Sequence, residues 1–201
     1  HNGEINTIQG NINWSVIHES KMFSENLGDS IKEIFPIIQD GASDSAALDS
    51  FYELLLNCGK DLPMIKALTI PEAKNKNQST KIKDFFEYCY SVLEPWDGPA
   101  AIAAYGKDWV IAGMDRNGFR PMRYTITKNN ILFVGSETGM VDIDDASVRQ
   151  KGHLGPGQII GSQQVGEMND MLSAVLENGT GKNARLPRPA GGKTGTSQNY
   201  R

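Results

Sequence analysis

The chain reads as an α+β protein, with helices in its first half and an antiparallel sheet in its second. Three observations predict this. Apolar residues recur at helical spacing up to Leu93, then give way to short apolar or alternating runs from Pro99 onward. The changeover is marked by Glu94-Pro95-Trp96-Asp97-Gly98-Pro99, a rigid corner of prolines and glycine. The later runs stand in pairs joined by short polar loops, which is hairpin grammar. Helices first and sheet second, within 201 residues, make a layered domain of ordinary size.

The elements follow in order. His1-Asn2-Gly3-Glu4-Ile5-Asn6-Thr7 opens the chain. Asn-Gly most often makes a turn. A second reading gives it two hydrogen-bond donors, the Asn amide and the approachable N–H of a residue without Cβ, able to hold an oxyanion. Trp14, Val16 and Ile17 among polar residues predict a helix over 7–20. Ile31, Ile34, Phe35, Ile37 and Ile38 are interrupted by Pro36, which predicts a short helix or an extended segment. Gly41-Ala42-Ser43-Asp44-Ser45-Ala46 is a loop ending in helix-start chemistry. Leu48, Phe51, Tyr52, Leu55 and Cys58 then keep helical spacing to a stop at Gly59. A further helix is expected over 62–68 and an exposed polar loop over 74–81. Ile82, Phe85, Phe86, Cys89, Val92 and Leu93 make the next helix, ended before Pro95.

Beyond the corner, Ala100–Tyr105 and 109–114 form one expected hairpin across Gly106-Lys107-Asp108. Arg123–Thr127 and 131–134 form another across Lys128-Asn129-Asn130, and Gln158-Ile159-Ile160 is a candidate last strand. From Ser162 the texture changes again. Val165, Met168, Leu172 and Val175 make a helical stripe closed by Asn178-Gly179, and a Gly/Pro/Arg-rich stretch leads to Gly191-Gly192-Lys193-Thr194-Gly195-Thr196.

Hydrophobic residues at 39%, charged ones at 22% and a net charge of -4 are ordinary for a soluble protein and give no reason to expect nucleic-acid binding. Residues 162–201 hold 5 Lys/Arg against 3 Asp/Glu, and residues 1–161 hold 15 against 21, a hint of two origins. No signal peptide is visible, and no apolar run is long enough to span a bilayer. A cytoplasmic location without membrane contact is therefore expected. Cys58 and Cys89 read as buried free thiols, with a disulfide as the alternative. His1, His18 and His153 have no partner at metal-ligand spacing, so no metal is expected.

Residues 1–161 resemble a known family. His1-Asn2-Gly3-Glu4-Ile5-Asn6-Thr7, Gly41-Ala42-Ser43-Asp44-Ser45-Ala46-Ala47-Leu48-Asp49 and Glu94-Pro95-Trp96-Asp97-Gly98-Pro99-Ala100-Ala101 carry the likeness. Asp115-Arg116-Asn117-Gly118-Phe119-Arg120-Pro121, Ser136-Glu137-Thr138-Gly139 and Lys151-Gly152-His153-Leu154-Gly155-Pro156-Gly157 extend it. All are similar to the glutaminase domain of glutamate synthase large subunits, a class II glutamine amidotransferase with an N-terminal nucleophile fold. The stretch after Pro71-Glu72-Ala73 departs from that family, which usually continues with tryptophan.

The resemblance implies a partial αββα sandwich carrying a C-terminal helix-plus-strand appendage. It implies an oxyanion hole at Asn2 and Gly3, and glutamine binding by Asp44, with Ser43 beside it. By composition alone, Asp44 or Ser45 would be a helix cap; with Asp44 on the substrate amine, capping falls to Ser43 or Ser45. The family's nucleophile is a cysteine at the mature N-terminus, which the resemblance places upstream of His1. The expected reaction is hydrolysis of L-glutamine's amide through a thioester, with the cysteine's own α-amine as base. The flavin (FMN) and iron–sulfur cluster of such synthases belong to partner domains absent from this chain, so no cofactor is expected here.

Residues 162–201 point elsewhere. Gly192-Lys193-Thr194 fails as a phosphate-binding loop, since the required earlier glycine is Pro187. Lys193, Thr194 and Gly195 fit the Lys-Thr-Gly box of penicillin-recognising enzymes, and residues 168–182 and 191–201 resemble the transpeptidase domain of bifunctional penicillin-binding proteins. The chain contains no Ser-x-x-Lys nucleophile, and Ser24-Glu25-Asn26 matches their Ser-x-Asn box only by coincidence. The expected division is thus a glutaminase-type domain over 1–161 and a transpeptidase-like fragment over 162–201. The alternatives are a non-catalytic binding or chimeric module, or a transpeptidase remnant.

Overall fold

Three of the four α-helices begin where a side chain satisfies an orphan backbone group. A computed structural model of the chain describes residues 1–162 except 26, 75, 77, 107, 157 and 158. Its α-helices are α1 (Ile8–Glu19), α2 (Asp44–Asn57), α3 (Leu62–Thr69) and α4 (Thr80–Val92). Ser43, Asp61 and Ser79 cap α2, α3 and α4, accepting the N–H groups of Ala46, Met64 and Ile82. Each such cap contributes roughly 1 kcal/mol. Residues Gly28–Ile34 form a 3₁₀ turn and Phe35 is extended, so the segment around Pro36 adopts both of its expected forms in succession.

The stripe that predicted α1 is its outer face. Trp14, Val16 and Ile17 are exposed, whereas Asn11 and Ser15 are buried. The inner face mixes Ile8 and Ile12, packed against the core, with polar residues that have polar partners: Asn11 Nδ2 donates to the Pro95 carbonyl at 3.2 Å and Thr7 Oγ1 donates to Asn11 Oδ1 at 2.7 Å. The cysteines divide as well. Cys89 is buried, but Cys58 at the end of α2 is exposed, which corrects half of the buried-thiol expectation; both are free.

The strands are β1 (Asn2–Gly3), β2 (Ala100–Tyr105), β3 (Val110–Met114), β4 (Arg123–Thr127), β5 (Leu132–Gly135), β6 (Val148–His153) and β7 (Ile159–Ser162). Both expected hairpins are present, but in two sheets, ordered β1-β2-β3-β7 and β5-β4-β6, with every pairing antiparallel. Period-two alternation explains the layering. Ala100, Ile102, Ala104, Ile111 and Ile159 face a core shared with Phe51, Leu62, Ile65 and Trp96 of the helical side. Ala101, Ala112, Met114 and Ile160 face the other way, onto Met122, Tyr124, Val134 and Leu154 of the second sheet. The described residues therefore stack as helices, sheet and sheet. Among them, no helix is long and apolar enough to cross a membrane.

Candidate functional site

The site grows from one close approach of backbone to backbone. Gly3 has φ +141, and a Cβ built on it would lie 1.8 Å from the Pro99 carbonyl oxygen. Gly98, with φ +152, stands in the same relation to the Glu4 carbonyl, at 2.1 Å. The two glycines let residues 3–4 lie directly against the Gly98-Pro99 corner, where no side chain fits. Further bonds hold that clasp. Glu4 N–H donates to the Pro99 carbonyl at 3.0 Å, and Thr7 N–H to the Asp97 carbonyl at 3.2 Å. Asp97 N–H donates to Thr7 Oγ1 at 2.9 Å.

The register settles where Gly3 points its N–H. Asn2 is opposite Ala101 and Gly3 opposite Ala100. The N–H and carbonyl of Ala100 are both engaged by Asp115, at 3.3 and 2.8 Å, on the β3 side. Antiparallel strands alternate the direction of successive backbone groups. Gly3 N–H is therefore turned away from β2, off the free edge of β1. Asn2, next to it, is exposed.

Asp44 reaches the same strand from the start of α2. Its Oδ2 accepts Ile5 N–H at 2.9 Å and its Oδ1 accepts Ser45 N–H at 2.7 Å. Its side chain remains 24% exposed, so part of the carboxylate still meets solvent. Ser43 Oγ caps α2 through Ala46 N–H at 3.2 Å. Gly3 and Ile5 are separated by at most about 7 Å of extended chain. The structure thus brings Asn2, Gly3, Ser43 and Asp44 to one end of the helix–sheet layer.

His1 belongs to the cluster although sequence spacing left it isolated. Its side chain is fully buried, with Nδ1 2.9 Å from Ser45 Oγ and Nε2 3.4 Å from Asp44 Oδ2. Only the fold creates that proximity, and no local sequence signal marks it. The Asp115–Pro121 loop lies behind. Asp115, 1% exposed, accepts N–H groups from Ala100, Asn117, Phe119 and Arg120. Arg116 donates to Asp97 Oδ2 at 3.2 Å and Tyr90 Oη at 3.0 Å, which braces the corner from its far side.

The thiols lie elsewhere. Cys58 ends the helix that Asp44 starts, about 20 Å away along the axis. Cys89 packs with Ala67 and Leu68, and burial raises its thiol pKa, which opposes the reactive thiolate. No group of three His, Cys, Asp or Glu able to hold a metal occurs among the described residues. Lys193, Thr194 and Gly195 lie outside them.

Comparison with known proteins adds an independent finding. Residues 1–170 match the family model of class-II glutamine amidotransferases. The glutamate synthase [NADPH] large chain of Azospirillum brasilense is 49% identical over 162 residues, 80% of this chain and 11% of that protein. A ferredoxin-dependent glutamate synthase of Pyropia yezoensis is 43% identical over 164 residues, 80% of this chain and 11% of that protein. The glutamate synthase [NADH] of Saccharomyces cerevisiae is 41% identical over 172 residues, 85% and 8% respectively. The chain spans about a tenth of the length of these curated relatives.

Proposed function

The chain belongs to the class-II glutamine amidotransferases, and from that premise we propose that it forms the glutamine-holding part of a glutamate synthase-type glutaminase. Asp44 binds the substrate's α-ammonium, and Asn2 Nδ2 with Gly3 N–H stabilises the oxyanion formed at the amide carbon. One observation carries this reading. The Ile5 N–H to Asp44 bond, 2.9 Å long, fixes the carboxylate within two residues of Gly3. Glutamine's α-nitrogen and amide oxygen are five bonds apart, roughly 6 Å when extended. The chain between Gly3 and the Ile5 N–H that holds Asp44, at most about 7 Å long, is of the same order.

The nucleophile in this reading is a cysteine supplied from outside residues 1–201, as the resemblance implies. Its sulfur adds to the amide carbon, the C–N bond breaks with a proton delivered to the leaving ammonia, and water then cleaves the thioester. Residues 1–162 then bind and orient glutamine, without supplying the attacking atom. The three described layers correspond in this reading to three of the four layers of an αββα sandwich. The FMN and iron–sulfur cluster of the resemblance fall to other parts of such enzymes, and Cys58 and Cys89, on separate helices, make no iron–sulfur ligand set. Residues 162–201 stand in the same reading as a transpeptidase-like fragment, to be checked by reading the transcript across Gly161-Ser162.

The decisive assay is ammonia release from L-glutamine by the chain joined to the sequence that precedes His1 in its transcript. Release that disappears in Asp44→Ala is expected. A folded protein that releases none overturns the reading.

A further inference from the structure

We propose that His1 is the positioning residue that makes the site select ligands with an α-ammonium group. The inference rests on the reading of Asp44 as the substrate-amine site. It starts from an unusual arrangement: a side chain with no exposure, lodged between Ser45 and Asp44, whose Nε2 makes no bond of normal hydrogen-bond geometry.

The carboxylate dictates the imidazole's tautomer. A lone pair on Nε2 facing Asp44 Oδ2 at 3.4 Å would repel it, whereas an N–H there is attracted. Nδ1 is then the acceptor, and Ser45 Oγ–H donates to it across 2.9 Å. Ser45 therefore holds the ring through its hydroxyl while its backbone N–H holds Asp44 Oδ1 at 2.7 Å.

Lone pairs decide the consequence. A carboxylate has about four acceptor positions. Oδ2 accepts Ile5 N–H, and the His1 ring, its Nε2 3.4 Å away, occupies the space beside that oxygen's second position. Oδ1 has Ser45 N–H on one, and the other is left for an incoming cation. Ile5 and Ser45 set the carboxylate plane, and His1 closes the side of Oδ2 beside them, so that the remaining acceptor position on Oδ1 is the one offered to the ligand. Without that ring, Ile5 N–H and Ser45 N–H would still hold the carboxylate, but the side of Oδ2 that His1 closes would open to water, screening the charge and weakening the bond that distinguishes an amino acid from its deaminated analogue. His1 touches no reacting atom; it acts through Asp44.

The probes are L-glutamate, which carries the α-ammonium, and glutarate, which does not, each titrated calorimetrically into the chain. The unaltered chain should prefer L-glutamate by roughly tenfold or more, the worth of one charge-assisted hydrogen bond. Asp44→Ala should abolish the preference. His1→Phe, which keeps a buried ring, should reduce the ratio toward one, with L-glutamate affinity falling more than glutarate affinity. His1→Gln, which restores an N–H donor, should recover part of it. Ser45→Ala, which leaves the imidazole in place, should lower the ratio less than His1→Phe. A purely structural role would weaken both ligands alike and leave the ratio standing. If His1→Phe folds, by thermal unfolding, and keeps the full ratio while Asp44→Ala loses it, the proposal for His1 is overturned and the reading of Asp44 survives. If the unaltered chain shows no preference, both fall.

Discussion

Gly3 and Gly98 show how much one missing Cβ can decide. Either Cβ would meet a carbonyl oxygen of the opposing segment, at 1.8 and 2.1 Å. Both residues also hold backbone angles that side chains disfavour. Gly3→Ala and Gly98→Ala should therefore each cost at least about 2 kcal/mol in urea unfolding. Because both substitutions force apart the same two segments, the double variant should lose less than the sum. Full additivity would show that the two glycines are independent. The dipeptide Asn2-Gly3 was legible as special, but from its own two residues, without the family resemblance, its use was not. Turn and oxyanion readings share the same residues, and the choice depends on Pro99 and Ala100, far along the chain. His1 was illegible for the same reason. Its partners Asp44 and Ser45 arrive only when α2 docks on β1.

At the scale of elements, α3 carries a charge in an unusual place. Lys66 is fully buried and its Nζ donates to the Ile70 carbonyl at 3.1 Å. Burial lowers its pKa to about 8, with the nearby charges of Asp115 and Glu72 opposing the shift. The unfolded chain, with an ordinary lysine pKa near 10.5, binds more protons than the folded one between pH 8 and 10.5. Stability should therefore rise with pH across that window, by up to about 3 kcal/mol from this group alone. Tyr52 sets the upper limit. Burial raises its phenol pKa, so above about pH 10 the unfolded chain ionises first and stability falls again. Urea midpoints between pH 7.5 and 10 should climb more steeply in the parent than in Lys66→Met, where the raised thiol pKa of buried Cys89 leaves stability falling as the unfolded thiol ionises. Equal slopes would remove Lys66 as the cause. Helices α2 to α4 were readable because caps and apolar period agree locally. Strand β6 was not, since Val148-Arg149-Gln150-Lys151-Gly152-His153 has no apolar alternation and owes its pairing to β4.

Among the described residues, the two cores on either face of the first sheet differ in weight. The helices and one face of the first sheet share the larger cluster, from Ile5 through Phe51 and Trp96 to Ile111. The sheet of β4, β5 and β6 joins the rest through Ala112, Met114, Met122 and Leu154, with β5 only half-buried. The sequence did not reveal this division, because an alternating hairpin looks the same whichever sheet it joins. Cooperative units follow buried apolar contact rather than strand count. Amides of β4–β6 should thus exchange with solvent at lower opening free energy than those of β2 and β3. Met122→Ala should widen the gap, since a truncated core methionine costs about 2–5 kcal/mol and here the loss falls on the joint between the sheets. Native-state hydrogen exchange reads both effects strand by strand. Uniform protection across all strands, moving together in Met122→Ala, would mean that the layers open as one unit. In that case the β1 site could not loosen independently of the second sheet, and the clasp of Gly3 on Pro99 would be as stable as the molecule itself.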